Sequence, residues 1–316
     1  MRYIEGIKHA FTNHVSTFGI EKTIRAGILY HVILIRRLFL GNQKNKIKIN
    51  DYWMHVIPKD KGISEELSIF KIHEPLNTKY LSEQLKENMV CLDIGANIGY
   101  FAFLESSKVG HLGKVIAVEP APLTFKLLEK NIKMQKNQNI SAYNFAFSDE
   151  ENMVKFFVSS SSNWSRVIGK KDSYHGDKGK IIKIKSKTVD NFLTELKLKK
   201  LDLIRIDLEG YEFEIFNGAR DTLVKFKPML QIEVHRDYMG LEKSLKFFKN
   251  LKDLGYDVTY YVPRGLDMPI IAALTDVKHI SIDHIIKNIK NDPQMEYFSI
   301  LLKNSNKKIK EQIDEV

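Results

Sequence analysis

Residues 90–99 read Val-Cys-Leu-Asp-Ile-Gly-Ala-Asn-Ile-Gly, an apolar run that closes on an acid and then breaks at two glycines four residues apart. An apolar strand running straight into a glycine turn and a helix is the opening unit of a parallel α/β sheet. Glycine at 95 and 99 lets the chain turn sharply where a Cβ would collide, and the following helix aims free N–H groups at the same place. Dinucleotide folds set G-x-G-x-x-G against a pyrophosphate. Here the spacing is G-x-x-x-G and the loop opens with Asp93. A carboxylate beside the ligand opposes a pyrophosphate and suits an ammonium group, so the loop reads as a site for S-adenosylmethionine rather than NAD. Asp93, Gly95, Asn97 and Gly99 are its candidate cofactor-binding residues.

Downstream, strand and helix signals alternate. Strands are predicted at 90–94, 114–119, 140–145, 201–207 and 229–235, with helices beginning near Ile98, Pro122, Asp190 and Tyr211. Two further strands, 154–158 and 181–187, surround a polar stretch from Ser159 to Gly179 that is equally well read as a lid or an insertion. A helix over 241–254 and a strand at 258–262 follow. The expected fold is a doubly wound, mostly parallel α/β sheet of Rossmann-like type. Ahead of it, residues 46–59 alternate as a β-hairpin, and residues 1–45 carry isoleucines near helical spacing. The division expected is 1–69 as an N-terminal helical segment and hairpin, 70–265 as the cofactor-binding domain, and 266–316 as a C-terminal extension with a frayed end.

The 316 residues include 49 Lys and Arg against 39 Asp and Glu, a formal charge of +10. The lysines are spread along the chain, which favours solvated surface over a polyanion-binding stripe. A single cysteine, Cys91, excludes an internal disulfide and a thiolate metal site. The most apolar stretch, 26–35, is about half the ~20 residues a membrane span needs, and no cleavable leader is apparent. The expected location is the cytoplasm. Residues 20–40, with Arg36 and Arg37, are either an interfacial helix on anionic lipid or a helix packed on the core, the latter preferred.

Three more segments carry chemistry. Glu119 closes the second predicted strand twenty residues beyond Gly99, where an acid can accept both hydroxyls of a ribose. The end of the third strand, Ala146-Phe147-Ser148-Asp149, is expected near the adenine, with Phe147 and Asp149 as cofactor-binding candidates, although a Ser-Asp turn explains Asp149 equally well. Arg205-Ile206-Asp207-Leu208-Glu209 and Glu233-Val234-His235 place ionisable groups on one face of two adjacent strand ends. Asp207, Glu209, Glu233 and His235 are the catalytic candidates. Two roles compete: His235 or Asp207 takes a proton from a hydroxyl acceptor, or the acids and His235 hold a divalent ion that lowers its pKa. The spacing matches no diagnostic metal motif, and the metal-free reading is preferred.

At these residues the chain resembles the FkbM family of methyltransferases. The matching points are 93–99, Glu119-Pro120, Thr188-Val189-Asp190, 206–212, Asn217-Gly218-Ala219 and Glu233-Val234-His235, with Glu74-Pro75 as a lead-in. The resemblance covers roughly residues 70–260. It implies an S-adenosylmethionine-binding fold and O-methylation of a hydroxyl on a sugar, glycolipid or small metabolite. Arg205 stands where a lysine is expected and Tyr211 where a small residue is usual. Two other readings are weighed. RNA methylation is disfavoured, because there is neither an Asn/Asp-Pro-Pro-Tyr/Phe motif nor an aromatic-studded basic stripe. A catalytically idle, membrane-associated S-adenosylmethionine-binding protein is opposed by the retained strand-end cluster. The acceptor and the oligomeric state are not legible.

Overall fold

The structure, a computed structural model, describes residues 45–58, 60, 62–159, 162–168, 178–263, 267, 272, 279–292 and 295–305. The helix expected over 1–45, the lipid contact at 20–40, part of the 159–179 stretch and the tail beyond 305 lie outside the described residues.

The chain opens with a hairpin, β1 (Lys46–Ile49) and β2 (Tyr52–His55), paired antiparallel. Two helices follow: α1 (Ile63–Phe70) and α2 (Pro75–Gln84), the second with its proline in the first turn, where a missing N–H costs nothing. The main body then alternates: β3 (Val90–Ile94), α3 (Tyr100–Val109), β4 (Lys114–Val118), α4 (Pro122–Ile132) and β5 (Ile140–Tyr143). An excursion of short strands comes next: β6 (Ala146–Phe147), β7 (Met153–Ser159), β8 (Arg166–Val167) and β9 (Gly179–Lys187). The body resumes with α5 (Val189–Glu195), β10 (Leu203–Ile206), α6 (Glu212–Asn217), α7 (Arg220–Phe226) and β11 (Met229–His235). It closes with α8 (Arg236–Met239), α9 (Leu241–Asp253), β12 (Tyr256–Pro263), α10 (Ile282–Asn288) and β13 (Tyr297–Asn304).

The main sheet runs β12-β13-β11-β10-β3-β4-β5. Its middle strands are parallel and buried on both faces, which is why β3, β4 and β10 read as continuous apolar runs rather than alternating ones. One core lies on the side of α5, α6 and α9. A second lies under the hairpin, α1 and α3. From β3 the chain moves outward one way through β4 and β5, then returns to start β10 on β3's other side. That reversal opens a crevice at the carboxyl ends of β3 and β10, the place where open α/β sheets bind ligands. The doubly wound α/β fold expected from the sequence is the fold observed.

Three features differ from the expectation. Residues 297–304, assigned to a C-terminal extension, form β13, inserted antiparallel between β11 and β12, so the sheet extends past the expected boundary at 265. The third strand stops at Tyr143 instead of Phe145, because Ala146 and Phe147 leave to pair with β9 in a separate four-stranded sheet of order β6-β9-β7-β8. Helix α1 carried no signal strong enough to be anticipated. No described helix is long and apolar enough to cross a membrane.

Candidate active site

The glycine turn after β3 is pinned to the next strand. The N–H groups of Gly95 and Ala96 both donate to the Val118 carbonyl, at 2.9 and 3.1 Å. Gly95 has φ +85°, and a Cβ there would lie 2.2 Å from the Asp207 carbonyl oxygen. Gly99 has φ +103° and faces Leu128 and Phe103. Both glycines therefore serve the turn and the packing of neighbouring elements; the close approach that demands them is protein against protein.

Glu119 ends β4 almost fully buried. Its Oε2 accepts the Asn97 N–H (2.9 Å) and its Oε1 the Ala121 N–H (2.8 Å). Burial pushes its carboxyl up to about 7, and the two backbone hydrogen bonds offset only part of that rise. Each oxygen keeps a second lone pair, so the side chain is held rigid and still able to receive two hydroxyls. Asn144 supports it from β5's end, donating to the carbonyls of Glu119 (2.8 Å) and Pro120 (3.0 Å).

A cleft of about 630 Å³, open mouth included, is lined by Glu119 together with Glu74, Arg205, Asp207, Glu209 and Glu233. Arg205 organises this wall. It donates to Asp93 (3.1 Å) and to Asp207 (2.8 Å) and lies 3.9 Å over the Phe101 ring. Burial alone would raise Asp207, but Arg205, a hydrogen bond from Glu233 and the charge of His235 bring it down to about 2. Glu74, Asp207 and Glu233 each offer an oxygen within 4.8 Å of the other two. On the near side His73 sits between Glu66 (2.5 Å) and Glu74 (3.4 Å). These acids overcome the effect of its burial and raise it to about 9.

The expected site residues divide into those the cleft brings together and those it does not. Gly95, Asn97, Glu119, Asp207, Glu209 and Glu233 line it. Asp93 does not: it is fully buried beneath Arg205, and burial holds its carboxyl up despite that partner. Beside it Glu105 is equally buried, neither oxygen hydrogen-bonded, its carboxyl pushed well above the usual range by burial. Phe147 is also away from the cleft, fully buried edge-on against Phe145 and Phe192. Asp149 is exposed and accepts the Ser148 hydroxyl at 3.0 Å, the turn arrangement the sequence also allowed. Both misplacements follow from the early end of β5, which sends residues 146–149 to the other sheet.

His235 is fully buried behind the wall. Its Nδ1 lies 2.8 Å from Glu212 Oε1, and its Nε2 lies 3.3 Å from Glu209 and 3.8 Å from Glu233. Burial would lower its pKa, yet the three carboxylates outweigh it and raise it to about 10. A ring held as an imidazolium has no lone pair for a proton, which favours Asp207 and its neighbours over His235 for the role of base that the sequence left open between them. Its charge holds Glu209 and Glu233 in place.

Sequence reasoning missed His73 and the contribution of the 162–168 segment. The Glu74-Pro75 pair was the signal for the first. Ser162 and Ser165 form part of the cleft wall, and Ser162 is tied to the core by Asp60, whose carboxylate accepts its N–H and its hydroxyl, each at 2.9 Å.

The sequence model of the methyltransferase FkbM domain matches residues 93–258, more than half of the chain. The chain belongs to the FkbM methyltransferase family. It is 23% identical over 192 residues to the hexuronic acid methyltransferase AglP of Haloferax volcanii, covering 59% of this chain and 74% of that one. It is 25% identical over 228 residues to the 2-O-methyltransferase NoeI of Sinorhizobium fredii, covering 67% and 88%. Among solved structures, the methyltransferase FkbM of Methylobacillus flagellatus superposes with a TM-score of 0.44 at 14% identity. That match covers 76% of this chain and 53% of that one.

Proposed function

We propose that this FkbM-family methyltransferase uses S-adenosylmethionine to O-methylate a hydroxyl of a sugar, glycolipid or small metabolite. The observation that carries this reading is that Glu119 and Asp207 line one and the same cleft. Glu119 is fixed by two backbone N–H groups with lone pairs to spare, which suits a ribose diol. Asp207 is held ionised, which suits a cation. Asp207 thus takes the role the sequence suggested for Asp93, which reaches the cleft only through Arg205. The donor set therefore fits the group.

When bound, S-adenosylmethionine supplies a methyl group on a positively charged sulfur. The chain's own residues align the acceptor and manage its proton. Glu209 and Glu233 line the cleft beside Asp207, and the buried His235 cation fixes both of them. Glu233, which donates a hydrogen bond to Asp207, keeps its proton, so a hydroxyl that donates to the Glu209 carboxylate is oriented and relieved of its proton as the oxygen–methyl bond forms. No metal is needed in this scheme. Of the two relatives named above, one is a hexuronic acid methyltransferase, which supports a sugar-like acceptor, and the other is a 2-O-methyltransferase, which supports methylation on oxygen. The acid-rich wall opposes RNA, whose phosphates it would repel.

The test is incubation with a methyl-labelled donor and fractionated cell glycans, lipids and RNA. The label should enter a glycan or lipid fraction as an alkali-stable methyl ether, and dialysis against EDTA should leave the rate unchanged. Label appearing in RNA, or as an alkali-labile ester, would overturn the assignment.

A further inference from the structure

Asp60 joins two parts of the chain that are distant in sequence. It lies between the hairpin and α1, 2% exposed, and its carboxylate accepts four hydrogen bonds. Two come from the start of α1, the N–H groups of Gly62 (3.2 Å) and Ser64 (3.1 Å). The other two come from Ser162, 102 residues away, whose N–H and hydroxyl each donate at 2.9 Å. Each carboxylate oxygen takes one bond from the α1 side and one from Ser162. Four donors fill its lone pairs, so the side chain serves as a tie between elements and has nothing left for a ligand.

The tie holds part of the cleft. Ile63 of α1, Ser162, Ser165 and Phe156 of β7 all line it. Ser162 opens a single 3-10 turn, Ser162–Trp164, and Ser165 follows at once. The Ser165 hydroxyl accepts the Ser159 N–H at 3.1 Å, and a hydroxyl that accepts still has its hydrogen to donate. None of these residues belongs to the main sheet. The groups assigned to S-adenosylmethionine, Asn97, Glu119 and Asp207, follow the ends of β3, β4 and β10 in that sheet. The cofactor reading draws on nothing from the 162–165 segment, which leaves the segment's share of the cleft to the second substrate.

We propose that Asp60 is a positioning residue for the acceptor: it clamps the 162–165 segment in place, where Ser162 and Ser165 meet the hydroxyl-bearing acceptor rather than S-adenosylmethionine. This rests on the methyltransferase reading above and assigns the acceptor's part of the same cleft. The clamp acts by pre-organisation. A segment already in place costs the acceptor no ordering, whereas a released one is competent for only a fraction of the time and weakens binding by that fraction. With the acceptor bound the segment is back in position, so transfer itself runs at nearly the same rate.

The experiment uses the full chain. Trp164 is one of two tryptophans, and Trp53→Phe leaves it as the sole reporter on the segment. In that background three quantities are read: S-adenosylhomocysteine affinity by calorimetry, acrylamide quenching of Trp164, and methyl transfer from labelled S-adenosylmethionine into heat-treated total cell extract. A dilution series of the extract yields a half-saturating concentration and a maximal rate before the acceptor is identified. Asp60→Ala should raise the half-saturating concentration about tenfold, with the maximal rate and S-adenosylhomocysteine affinity held within about threefold. Quenching of Trp164 should increase. Ser162→Ala, which removes the hydroxyl bond and spares the α1 contacts, should move the half-saturating concentration and the quenching in the same direction by less, and Ser162→Thr should restore both. If Asp60→Ala does not fold, the Ser162 pair decides. A half-saturating concentration that stays put, a loss confined to the maximal rate, unchanged quenching, or a parallel fall in S-adenosylhomocysteine affinity would overturn the proposal. No transfer by the wild-type chain would instead overturn the underlying methyltransferase reading.

Discussion

Asp93 and Arg205, 112 residues apart in the chain, stand opposite each other in the β3–β10 ladder and form a buried ion pair of 3.1 Å. The same guanidinium reaches Asp207, so the acid that opens the glycine turn and the acid that lines the cleft are held by one cation. Removing it strands a carboxylate in the core. Arg205→Met should therefore cost about 3–5 kcal/mol of unfolding free energy by urea titration. Adding Asp93→Asn should recover part of the loss, since the orphaned charge is then gone.

Glu119 leads to a pH dependence. Its carboxyl titrates at about 7 in the free protein, and two ribose hydroxyls donate best to the ionised form. Affinity for S-adenosylhomocysteine should rise as pH goes from 6 to 8, measured by calorimetry. Glu119→Gln should bind about tenfold or more weakly and lose the slope. A pH-independent affinity in the wild-type protein would show that this glutamate does not hold the ligand.

His235 and His73 make stability fall on the alkaline side. Their folded pKa values, about 10 and about 9, lie above the ordinary 6.5. Their stabilising contribution is complete below pH 6.5 and is lost as pH climbs through 9 to 10. Glu119, raised from 4.5 to about 7, has finished its own loss near pH 8. Denaturant midpoints should hence drop between pH 8 and 10, and His235→Gln should flatten that drop. In the same range of experiments, kcat at saturating cofactor should show no limb from an imidazole near 6.5, since the three acids around His235 hold its ring protonated up to about 10.

Gly95→Ala should fail for a reason independent of any ligand. The added carbon would meet the Asp207 carbonyl at 2.2 Å in a left-handed conformation. Backbone cannot swing away as a side chain tip can, so a loss on the order of 3 kcal/mol is expected in thermal unfolding.

How much of this was legible follows from how local each signal is. Strands β3 and β11 were read to the residue, because their apolar runs are bounded by turn or charge signals a few positions away. Asp207, Glu209 and Glu233 were recognised because alternation along two strands puts them on one face. Phe147 and Asp149 lie elsewhere than expected because β5 ends at Tyr143 and residues 146–147 leave the main sheet to pair with β9. The charge state of His235 was not legible, since its three acids come from positions 209, 212 and 233 and meet only in space. Strand β13 was missed because its partners, β11 and β12, lie dozens of residues upstream.

That last strand also sets an order of assembly. The turn at 95 and Glu119 come from the first half of the chain, and their partners in β3, β4 and β5 are close in sequence. The end of β11, with Glu233 and His235, is flanked by a strand among the last residues described. During synthesis the β11 edge of the sheet, with Glu233 and His235 at its end, stays uncovered until nearly all the described polypeptide has emerged. A nascent chain halted near residue 290 would lack the strand that lies between β11 and β12 and joins them into one sheet.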